Sequence, residues 1–546
     1  MTTLFSIITP VLDPSAQEFE KCIASVQNQT HTNWQWCVAD NGSLNPVITE
    51  RLRNLAASDS RVNLKSLPTN LGISGGSNAA LEQATGEFVV LLDHDDELTS
   101  DALATIADVI ASVGSDVDYL YSDEEIVDTH GVRVVHFAKP AWSPSRFRAQ
   151  MYCGHVSVLR TEIVRLVGGF RSEFDGSQDY DIVLRVVERA RKIIHIPRVL
   201  YRWCSGEDSV ALDPTGKPWA YAAGIKAVQA HCDRMGIEAD VVETPTVGVH
   251  RLERRLRSQP LVSIIIPTAC SEGLVWGKRD FLVHRCLRSI AKNSTYKNIE
   301  IVLIIDDLCQ TADALAELCN SLDFKSVQVV HDLKPFNFSR KVNLGAFHAH
   351  GDRLLFLNDD TEVIAPGWIE AMLGLLEEGD VGAVGAALLH PDETYQHAGQ
   401  YLNDKPHHVL YRHPFSDPGP MSCLLTEREC GGVTAACVMT RRDVFEAVGG
   451  FCEDLPNNYN DVDFSLKVRS HDLRVVWTPE ARLWHHESST RLKYASKFDS
   501  ARSNHVLKFE HEFMRRRWQR EMASDPYLTD ALCNAHDIPP TFPLFR

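Results

Sequence analysis

The stretch Phe88-Val89-Val90-Leu91-Leu92-Asp93-His94-Asp95-Asp96 decides the fold, because an apolar run leads directly into a cluster of carboxylates. The chain repeats this arrangement later as Leu354-Leu355-Phe356-Leu357-Asn358-Asp359-Asp360. Asn78 and Asn343 precede the two clusters at the same spacing. An apolar strand that ends in carboxylates predicts a ligand site at the carboxyl edge of a parallel sheet. Two copies in one chain predict two domains and two sites.

The repeat extends to other strands of the chain. A short apolar strand closed by proline opens each half, as Phe5–Pro10 and as Val262–Pro267. A second apolar strand in each half ends in an acid, at Asp40 and at Asp306. Strand-like and helix-like segments alternate, which is typical of a parallel sheet with right-handed crossovers. We therefore predict an α/β fold built twice, with domains at 1–245 and 258–495 and a helical or irregular tail at 496–546.

Size and composition agree with two soluble domains. The chain has 546 residues, 44% of them hydrophobic and 23% charged, whereas a single core stops growing near about 250–300 residues. A formal net charge of −18 does not favour nucleic acid as a partner. No apolar run approaches the roughly 20 residues that cross a bilayer, so we predict a cytoplasmic protein and leave peripheral contact with the inner face of the plasma membrane open.

The cysteines predict a reducing compartment. The chain has 14 of them and no CxxC pair. Four stand in apolar surroundings and are predicted to be buried thiols, namely Cys22, Cys37, Cys153 and Cys437.

The acidic strand ends have the chemistry of a nucleotide site. Asp93 and Asp95 would lie on one side of an extended segment, which suits Mg²⁺ or Mn²⁺ bridging a diphosphate. Asp40, which is followed by a tight turn, could accept hydrogen bonds from a base or a ribose. The glycine-rich segment 70–78 could bring backbone amides to phosphate as it opens a helix. Each feature alone is commoner as a turn or a helix cap, and their repetition in one order is what favours a site.

Further motifs identify a family. In the first half they are Asp118–Glu125, Lys139–Pro144, Gly168-Gly169-Phe170, Gly176–Asp181 and His195–Trp203. In the second half they are Pro335–Ser339, Phe356–Glu362, Gln396–Gly399, Gly449-Gly450-Phe451, Asn460–Asp463 and Trp484–Ser488. With them the chain resembles the family 2 glycosyltransferases of the GT-A fold. It looks most like the tandem two-domain proteins of bacterial surface-polysaccharide synthesis, of the O-antigen or rhamnan kind.

The resemblance implies roles for individual residues and a divalent metal cofactor, Mg²⁺ or Mn²⁺. The catalytic bases would be Asp179 and Asp461. The donor nucleotide would be bound by Asp13, Asp40, Asn70, Gly72, Asn78, Asp93, Asp306, Asn343 and Asn358. The metal would be held by Asp95, Asp360 and His485, with Asp93, Asp359 and His195 as further candidates. Acceptor or other contacts would come from Gln178, Trp203, Asn460 and His486.

The implied activity is inverting transfer of a sugar from a nucleotide-diphosphate donor, with dTDP-rhamnose as one candidate, to a growing cell-surface glycan that is lipid-linked or an oligosaccharide. Two active sites are the leading hypothesis. The alternative is one catalytic domain with a degenerate second domain that binds the acceptor, because Asn358 replaces the first aspartate of the cluster. A nucleotidyltransferase is disfavoured, because Pro10–Asp13 stands where that class needs a glycine-rich loop.

Three smaller groups leave alternatives open. His407, His408 and His413 could form an acceptor-binding face or, with a further ligand, a metal site. The basic run Arg515–Arg520 could contact anionic headgroups or be a solvated helix face. Arg340 and Lys341 could pair with donor phosphate or be an ordinary exposed pair.

Overall fold

The computed structural model describes residues 3–128, 130–204, 218–305, 309, 312–486, 500–529 and 532. It forms two compact units, which we call unit 1 (mainly residues up to Glu253) and unit 2 (mainly Arg254–Leu528). The predicted α/β fold, built twice, is confirmed. The domain bounds 1–245, 258–495 and 496–546 stay predictions, and part of the last segment lies outside the described residues.

Unit 1 alternates strands and helices along the chain. Its strands are β1 (Phe5–Val11), β2 (Trp34–Asp40), β3 (Val62–Ser66), β4 (Phe88–Leu91), β5 (Glu97–Leu98), β6 (Val117–Val127), β7 (Arg133–Phe137), β8 (Ser157–Arg160), β9 (Lys192–Cys204), β10 (Ala239–Glu243) and β11 (His250–Arg254). Its helices are α1 (Ala16–Gln27), α2 (Pro46–Ser58), α3 (Gly72–Leu81), α4 (Ala102–Val113), α5 (Pro144–Ala149), α6 (Thr161–Leu166), α7 (Gln178–Val187) and α8 (Pro218–Met235).

The main sheet of unit 1 has the order β3-β2-β1-β4-β8-β6-β9-β5, with β7 beside β6. β1 pairs in parallel with both β2 and β4, so their carboxyl ends meet at one edge. β1 and β2 are buried throughout, as expected for central strands covered by helices on both faces. Asp40 and Asp93 are thereby delivered to the same edge of the sheet.

Unit 2 repeats this plan. Its strands are β12 (Val262–Thr268), β13 (Glu272–Val275), β14 (Lys278–Phe281), β15 (Ile299–Ile305), β16 (Ser326–His331), β17 (Arg353–Leu357), β18 (Thr361–Val363), β19 (Val381–Leu389), β20 (Tyr395–His397), β21 (Gln400–Asn403), β22 (Lys405–His408), β23 (Arg428–Glu429), β24 (Cys437–Arg441) and β25 (Arg474–His485). Its helices are α9 (Leu282–Asn293), α10 (Ala312–Ser321), α11 (Phe338–His348), α12 (Trp368–Leu376), α13 (Arg442–Ala447), α14 (Asn460–Arg469), α15 (Ser500–Arg517) and α16 (Gln519–Ala523).

The main sheet of unit 2 has the order β16-β15-β12-β17-β24-β19-β25-β18, which is the order of unit 1 strand for strand. The strand pairings therefore show which residue of unit 2 corresponds to a given residue of unit 1. For example, Leu98 lies opposite Tyr201 and Val363 lies opposite Leu483. Because Leu98 and Val363 hold the same place in the repeat, Tyr201 matches Leu483.

The repeated asparagine and the repeated Gly-Gly-Phe segment form one structural device. Asn78, on α3, donates to the carbonyl of Phe170 at 2.8 Å and accepts from its N–H at 2.8 Å. Asn343, on α11, makes the same two bonds with Phe451, each at 2.9 Å. Both carboxamides thus hold the Gly-Gly-Phe turns, and donor binding by these two asparagines stays a prediction.

The glycine-rich segment of unit 1 is helical. Gly72 begins α3, and the Ser74 N–H donates to Asp175 Oδ1 at 3.3 Å. A Cβ on Gly72 would meet Asp175 Oδ2 at 2.6 Å, and the residue has φ +77°, so glycine is required. The glycine-rich segment thus opens a helix as predicted, and one amide of its first turn donates to a carboxylate.

The described part of the tail is helical and packs on unit 2. Met514 and Met522 share an apolar cluster with Val462 and Leu466 of α14. The basic run is largely paired with acids, since Arg516 contacts Glu512 at 2.9 Å and Arg517 contacts Asp463 at 3.3 Å. Among the described residues, no helix has the length and apolar character that crossing a bilayer requires.

The four predicted thiols are free and buried, which confirms that prediction. The structure also contains a disulfide that was not predicted, between Cys270 and Cys309 in unit 2.

Candidate active sites

Two loops at the sheet edge of unit 1 form a polar cradle. The Asp13 carboxylate accepts from the N–H groups of Leu44 (3.1 Å) and Asn45 (2.9 Å). Asp40, at the end of β2, accepts from the Ser43 N–H at 3.0 Å. These bonds order the turn after β2, where the donor base was predicted to bind.

Asn41 joins this cradle to the start of α3. Its side chain accepts from the Leu71 N–H at 3.0 Å and donates to Asn70 Oδ1 at 3.1 Å and to the Gly72 carbonyl at 2.9 Å. The structure therefore brings together Asp13, Asp40, Asn70 and Gly72, the four residues predicted to bind the donor nucleotide at this end of unit 1.

Unit 2 replaces one of these hydrogen bonds with the disulfide. Cys270 matches Asp13, and both have a positive φ, 50° and 43°. Cys309 matches Leu44, because each is the fourth residue after the matched strand ends. The Cys270–Cys309 bond thus closes the same two loops that Asp13 and the Leu44 N–H close in unit 1.

The register also corrects one predicted match. Asp40 lies opposite Val11, and the residue opposite Thr268, which matches Val11, is Ile305. Ile305 therefore matches Asp40. Asp306, which was predicted to match Asp40, is the next residue in the chain. Asp306 itself lies outside the described residues.

Asp93, Asp96 and His155 form the candidate metal centre of unit 1. Each offers one ligand atom, and these atoms all lie within 4.8 Å of one another. Among the described residues it is the only group of three histidines, cysteines or acids that close together. Asp95, predicted to hold the metal, is half-buried beside this group but is not a member of it.

Tyr201, on β9, supports two members of this centre. Its hydroxyl donates to Asp96 Oδ2 at 2.6 Å, and its ring stacks on His155 with the ring centroids 4.5 Å apart. Asp96 also accepts from the Cys204 N–H at 2.9 Å. Burial and the neighbouring carboxylates of Asp95 and Asp93 raise the pKa of Asp96. A cation at this position would relieve that repulsion, so the donor set fits a divalent metal.

Asp179 lies beside the centre as the second residue of α7. Its carboxylate accepts from the Tyr180 N–H at 2.9 Å. Burial raises the pKa of Asp179, the charge of His155 opposes that rise, and the charge of Asp93 adds to it. The predicted base is thus placed within electrostatic range of two of the three candidate metal ligands.

Other residues predicted for unit 1 have different surroundings. His195 contacts Asp123 at 2.8 Å and stacks on Tyr121, so it is committed away from the candidate centre. Trp203 stands edge-on to His155, with the centroids 6.0 Å apart. Gln178 accepts from the Gly176 N–H at 2.9 Å and so closes the turn before α7.

A buried ion pair holds the backbone of His155. Glu124 Oε2 accepts from the His155 N–H at 2.8 Å, and Lys139 Nζ donates to the His155 carbonyl at 2.6 Å. Lys139 Nζ also donates to the Cys153 carbonyl at 2.5 Å and lies 3.5 Å from Glu124. Burial lowers the pKa of Lys139, and the charge of Glu124 opposes that effect.

The acidic cluster of unit 2 is arranged differently. Asp360 lies 3.1 Å from His485 Nε2, and Asp359 accepts from the Thr268 hydroxyl at 2.6 Å. Burial and the charge of Asp360 raise the pKa of Asp359 to about 7. Burial acts to raise the pKa of Asp360 as well, but His485, a backbone hydrogen bond and the charge of His486 together outweigh it, and the net shift is downward. The described part of unit 2 holds no group of three ligand-bearing residues as close as that of unit 1.

Asp461, the second predicted base, lies among histidines. It accepts from the Val462 N–H at 2.9 Å, and Gln400 Nε2 lies 3.4 Å from it. His397 and His408 contact each other through their Nδ1 atoms at 2.8 Å. Burial lowers the pKa of His408, and the charge of Asp461 opposes this, so that pair lies near the predicted base.

The remaining predicted residues of unit 2 separate into pairs. The His486 imidazole contacts Glu362 at 2.7 Å, while its backbone N–H donates to the Asp360 carbonyl at 2.9 Å. His413 pairs with Asp417 at 3.1 Å, so the predicted cluster of three histidines does not form. Arg340 pairs with Asp332 at 2.9 Å, whereas Lys341 is buried and its charge lowers the pKa of Asp359 against the larger effect of burial.

The structure also gives the positions of two further residues predicted for unit 2, Asn358 and Asn460. Asn358 follows β17 and donates its N–H to the Ala436 carbonyl at 3.0 Å. Asn460 is buried as the first residue of α14.

The registers show that the two centres use different positions. Arg160 lies opposite Phe88 and Arg441 opposite Arg353, so His155, five residues earlier, matches Ala436. In the same repeat, Asp93 matches Asn358 and Asp96 matches Thr361. Unit 2 thus lacks all three members of the unit 1 centre. Conversely, unit 1 lacks the histidine that contacts Asp360 in unit 2, because Trp203 stands at the position of His485.

Sequence reasoning missed His155, Asp96, Glu124 and Lys139. A signal for one of them was present, because Glu124 lies in a largely buried strand, β6, that carries several charged residues. Charged residues in a central strand need buried partners, and Lys139 and the backbone of His155 provide them. His155 itself carries no local pattern and is found only through the strand pairing.

A model of the family described as "Glycosyl transferase family 2" matches residues 6–164 and 263–449. The chain belongs to glycosyl transferase family 2. The first matched region contains Asp93, Asp96 and His155, and the second contains Asp360, His397 and His408. The predicted bases of both halves lie just beyond the regions that the family 2 model covers.

Two curated relatives match most of this chain. The chain is 36% identical over 535 residues to the uncharacterized protein y4gI of Sinorhizobium fredii, covering 96% of this chain and 57% of that protein. It is 34% identical over 494 residues to the O-antigen biosynthesis protein RfbC of Myxococcus xanthus, covering 89% and 38% respectively. The chain therefore spans about half or less of the length of these two relatives.

A shorter relative is matched over most of its own length. The chain is 30% identical over 187 residues to the UDP-Glc:alpha-D-GlcNAc-diphosphoundecaprenol beta-1,3-glucosyltransferase WfgD of Escherichia coli. The alignment covers 34% of this chain and 70% of that protein.

Proposed function

We propose that unit 1 is an inverting glycosyltransferase site in which Asp179 is the catalytic base and Asp93, Asp96 and His155 hold a divalent metal. The observation that carries this proposal is the position of Asp179. A half-buried carboxylate with a raised pKa lies within electrostatic range of Asp93 and His155, two of the three residues in the one compact ligand group of the described chain.

Asp179 performs the proton transfer of the reaction. The acceptor hydroxyl oxygen forms a bond to the anomeric carbon of the donor sugar while the bond from that carbon to the diphosphate oxygen breaks. The hydroxyl proton passes to the Asp179 carboxylate. Burial raises the pKa of this carboxyl, which makes it a stronger base than an exposed aspartate. Attack from the side opposite the leaving group inverts the anomeric centre.

The ligand set fits Mg²⁺ or Mn²⁺, since two carboxylates and one imidazole can be supplied by Asp93, Asp96 and His155. When bound, the metal would neutralise the charge of the departing nucleoside diphosphate. The residues of the chain orient this centre. Tyr201 holds Asp96 by a hydrogen bond and His155 by stacking, so both ligands are fixed by one side chain.

The proposed donor is a nucleotide-diphosphate sugar, with dTDP-rhamnose as one candidate. Asp13, Asp40 and Asn70 would bind its nucleoside part, because their loops meet at the carboxyl edge of β1 and β2. The proposed acceptor is a growing cell-surface glycan, which is lipid-linked or an oligosaccharide. The names of the relatives in O-antigen synthesis and diphosphoundecaprenol glycosylation support this class. Cytoplasmic location and peripheral contact with the inner face of the plasma membrane belong to the same proposal.

For unit 2 we propose a second transfer with Asp461 as the base. The pair Asp360–His485 and the nearby His397–His408 pair support a working site. The alternative is that unit 2 only binds the acceptor. The replacement of all three unit 1 ligands by Asn358, Thr361 and Ala436 favours that alternative.

The test is transfer from a panel of nucleotide-diphosphate sugars to lipid-linked oligosaccharide acceptors, with Asp179→Asn and Asp461→Asn as matched variants. We expect Asp179→Asn to lower the first transfer by about 10²–10⁴-fold. If both units transfer, Asp461→Asn stops the product one sugar later than Asp179→Asn does. If unit 2 only binds the acceptor, Asp461→Asn changes KM and leaves product length unchanged. Normal turnover by Asp179→Asn would contradict the proposal for unit 1.

A further inference from the structure

The His155 backbone is held on both of its polar groups by one buried ion pair. Its N–H donates to Glu124 Oε2 at 2.8 Å and its carbonyl accepts from Lys139 Nζ at 2.6 Å. The two charged groups lie 3.5 Å apart. One bond holds the peptide group before the His155 Cα, and the other holds the peptide group after it. Rotation of either peptide group would break one of these bonds. The pair therefore fixes the direction of the His155 Cα–Cβ bond, and the stacking of Tyr201 then holds the imidazole ring.

The backbone ahead of His155 is shaped to admit this pair. Gly154 has φ +45°, and a Cβ there would meet Glu124 Oε1 at 2.7 Å. The Glu124 carboxylate therefore lies directly against the main chain of the Gly154–His155 segment. Lys139 also donates to the Cys153 carbonyl at 2.5 Å, so the residues on both sides of Gly154 are hydrogen-bonded to the pair.

The burial of this pair needs an explanation other than stability. Lys139 is 2% exposed and Glu124 is 6% exposed. Removing two charges from water is costly, and apolar residues of similar volume often replace a buried pair without loss of stability. A pair that is nevertheless buried in a central strand is expected to fix the geometry of something near it.

Unit 2 provides an internal comparison. Glu124 and Tyr201 lie opposite each other in unit 1, as Leu388 and Leu483 do in unit 2, so Glu124 matches Leu388. At the position of His155, unit 2 has Ala436. The unit without the imidazole is thus also the unit without the buried carboxylate. This joint replacement links Glu124 to His155 rather than to the fold, which the two units share.

We propose that Glu124 and Lys139 are positioning residues that fix the backbone of His155, so that its imidazole faces Asp93 and Asp96. This inference rests on the proposed metal centre of unit 1. Neither Glu124 nor Lys139 touches the metal, and each acts through the main chain of His155. Their contribution is to the affinity of the centre, because a ligand that is already oriented loses less freedom on binding.

The test is a titration of the full chain with Mn²⁺. Electron paramagnetic resonance distinguishes free from bound Mn²⁺ at each point of the titration. The parent carries His485→Ala, so that the imidazole of unit 2 does not contribute. We expect Glu124→Gln and Lys139→Met each to weaken Mn²⁺ binding by about 10–100-fold, as is usual for residues that orient a ligand. His155→Ala should weaken binding at least as much, and it should abolish the nitrogen coupling of an imidazole in the electron spin-echo spectrum.

The matched control is Glu188→Gln. Glu188 is an equally shielded carboxylate of unit 1 that pairs with His231 at 2.8 Å and Arg234 at 2.6 Å. We expect this variant to keep the Mn²⁺ affinity of the parent within about twofold, since none of its contacts orients a ligand. If Glu188→Gln lost as much affinity as Glu124→Gln, the effect would reflect a general loss of structure and the positioning role would fail.

The outcomes separate this inference from the proposed function. Parental affinity in both Glu124→Gln and Lys139→Met, together with loss in His155→Ala, would overturn the positioning role and keep the metal centre. Parental affinity in His155→Ala would overturn the metal centre itself, and the inference with it. Circular dichroism of each variant at the temperature of the titration checks that the folded chain is being measured.

Discussion

The carboxamide of Asn78 and the peptide groups of Phe170 form two hydrogen bonds, each 2.8 Å long. Asn343 and Phe451 repeat this relationship in unit 2. Asn78→Ala would leave an N–H and a carbonyl of a partly buried turn without partners, at a cost of about 1–3 kcal/mol. We expect the thermal unfolding of unit 1 to occur at lower temperature, with donor affinity retained in the folded protein.

The control for this prediction is Asn70→Ala, at the polar cradle. That variant should weaken donor binding and lower the unfolding temperature less than Asn78→Ala does, because Asn70 is exposed and water can replace its two hydrogen bonds. The reverse pattern, with Asn78→Ala losing donor and keeping its stability, would restore the donor-binding role predicted from the sequence.

The Cys270–Cys309 disulfide closes a separation of 39 residues in unit 2. A cross-link of that span typically stabilises a domain by about 2–4 kcal/mol, mainly by restricting the unfolded chain. The double change Cys270→Ser and Cys309→Ser should therefore lower the unfolding temperature of unit 2, and a dithiol reductant should have the same effect on the natural chain. Cys452→Ser, at a half-buried free thiol, serves as the control. Identical unfolding of the natural chain with and without reductant would argue against the bond.

His250 makes unit 1 sensitive to acid. It is buried on β11 and stacks on Tyr180, and burial lowers its pKa from 6.5 to about 4. The unfolded chain binds a proton here below pH 6.5, whereas the folded chain does so only near pH 4. Neutral His250 therefore makes its full contribution to the stability of unit 1 above pH 6.5. As the pH falls from 6.5 to 4, the free energy of unfolding decreases by about 1.4 kcal/mol for each pH unit.

The measurement for His250 compares the natural chain with His250→Phe, in calorimetric unfolding at pH 7.5 and at pH 5. The variant should lose less stability between the two pH values than the natural chain does. Equal losses would show that other groups govern the acid sensitivity of unit 1.

Glu510 connects the tail to the loop that precedes Asp461. Its carboxylate accepts from the N–H groups of Asn457 (3.0 Å) and Asn458 (3.2 Å) and from the Asn458 amide at 2.7 Å. Glu510→Ala should destabilise unit 2 by about 1–3 kcal/mol, because these donors are left unpaired. Any step that depends on Asp461 should slow, while Mn²⁺ binding by unit 1 stays unchanged. Glu512→Ala, on the exposed face of α15, is the control.

The sequence predicted the parts of the fold that local pattern determines. Apolar runs that end in Asp40 and Asp93 are strands that deliver acids to one edge of a parallel sheet, and the structure contains them. The sequence could not show that Asp96 rather than Asp95 joins the candidate centre. That choice depends on which side chain reaches Tyr201, from a strand more than a hundred residues later.

The same limit applies to the imidazoles. His195 and His155 are both near apolar strands, and nothing local distinguishes them. Long-range pairing commits His195 to Asp123 and leaves His155 facing Asp93. Similarly, the family resemblance implied donor binding by Asn78 and Asn343, which stays a prediction, and nothing local showed that both side chains also hold a turn.

We propose a metal centre in unit 1 that is formed by Asp93, Asp96 and His155 beside Asp179. The most direct measurement is the anomalous scattering of Mn²⁺ in crystals of the full chain grown with a nucleoside diphosphate. We predict a peak in unit 1 coordinated by His155 and both carboxylates. A peak bound by Asp95 without His155, or no peak in unit 1, would contradict the account.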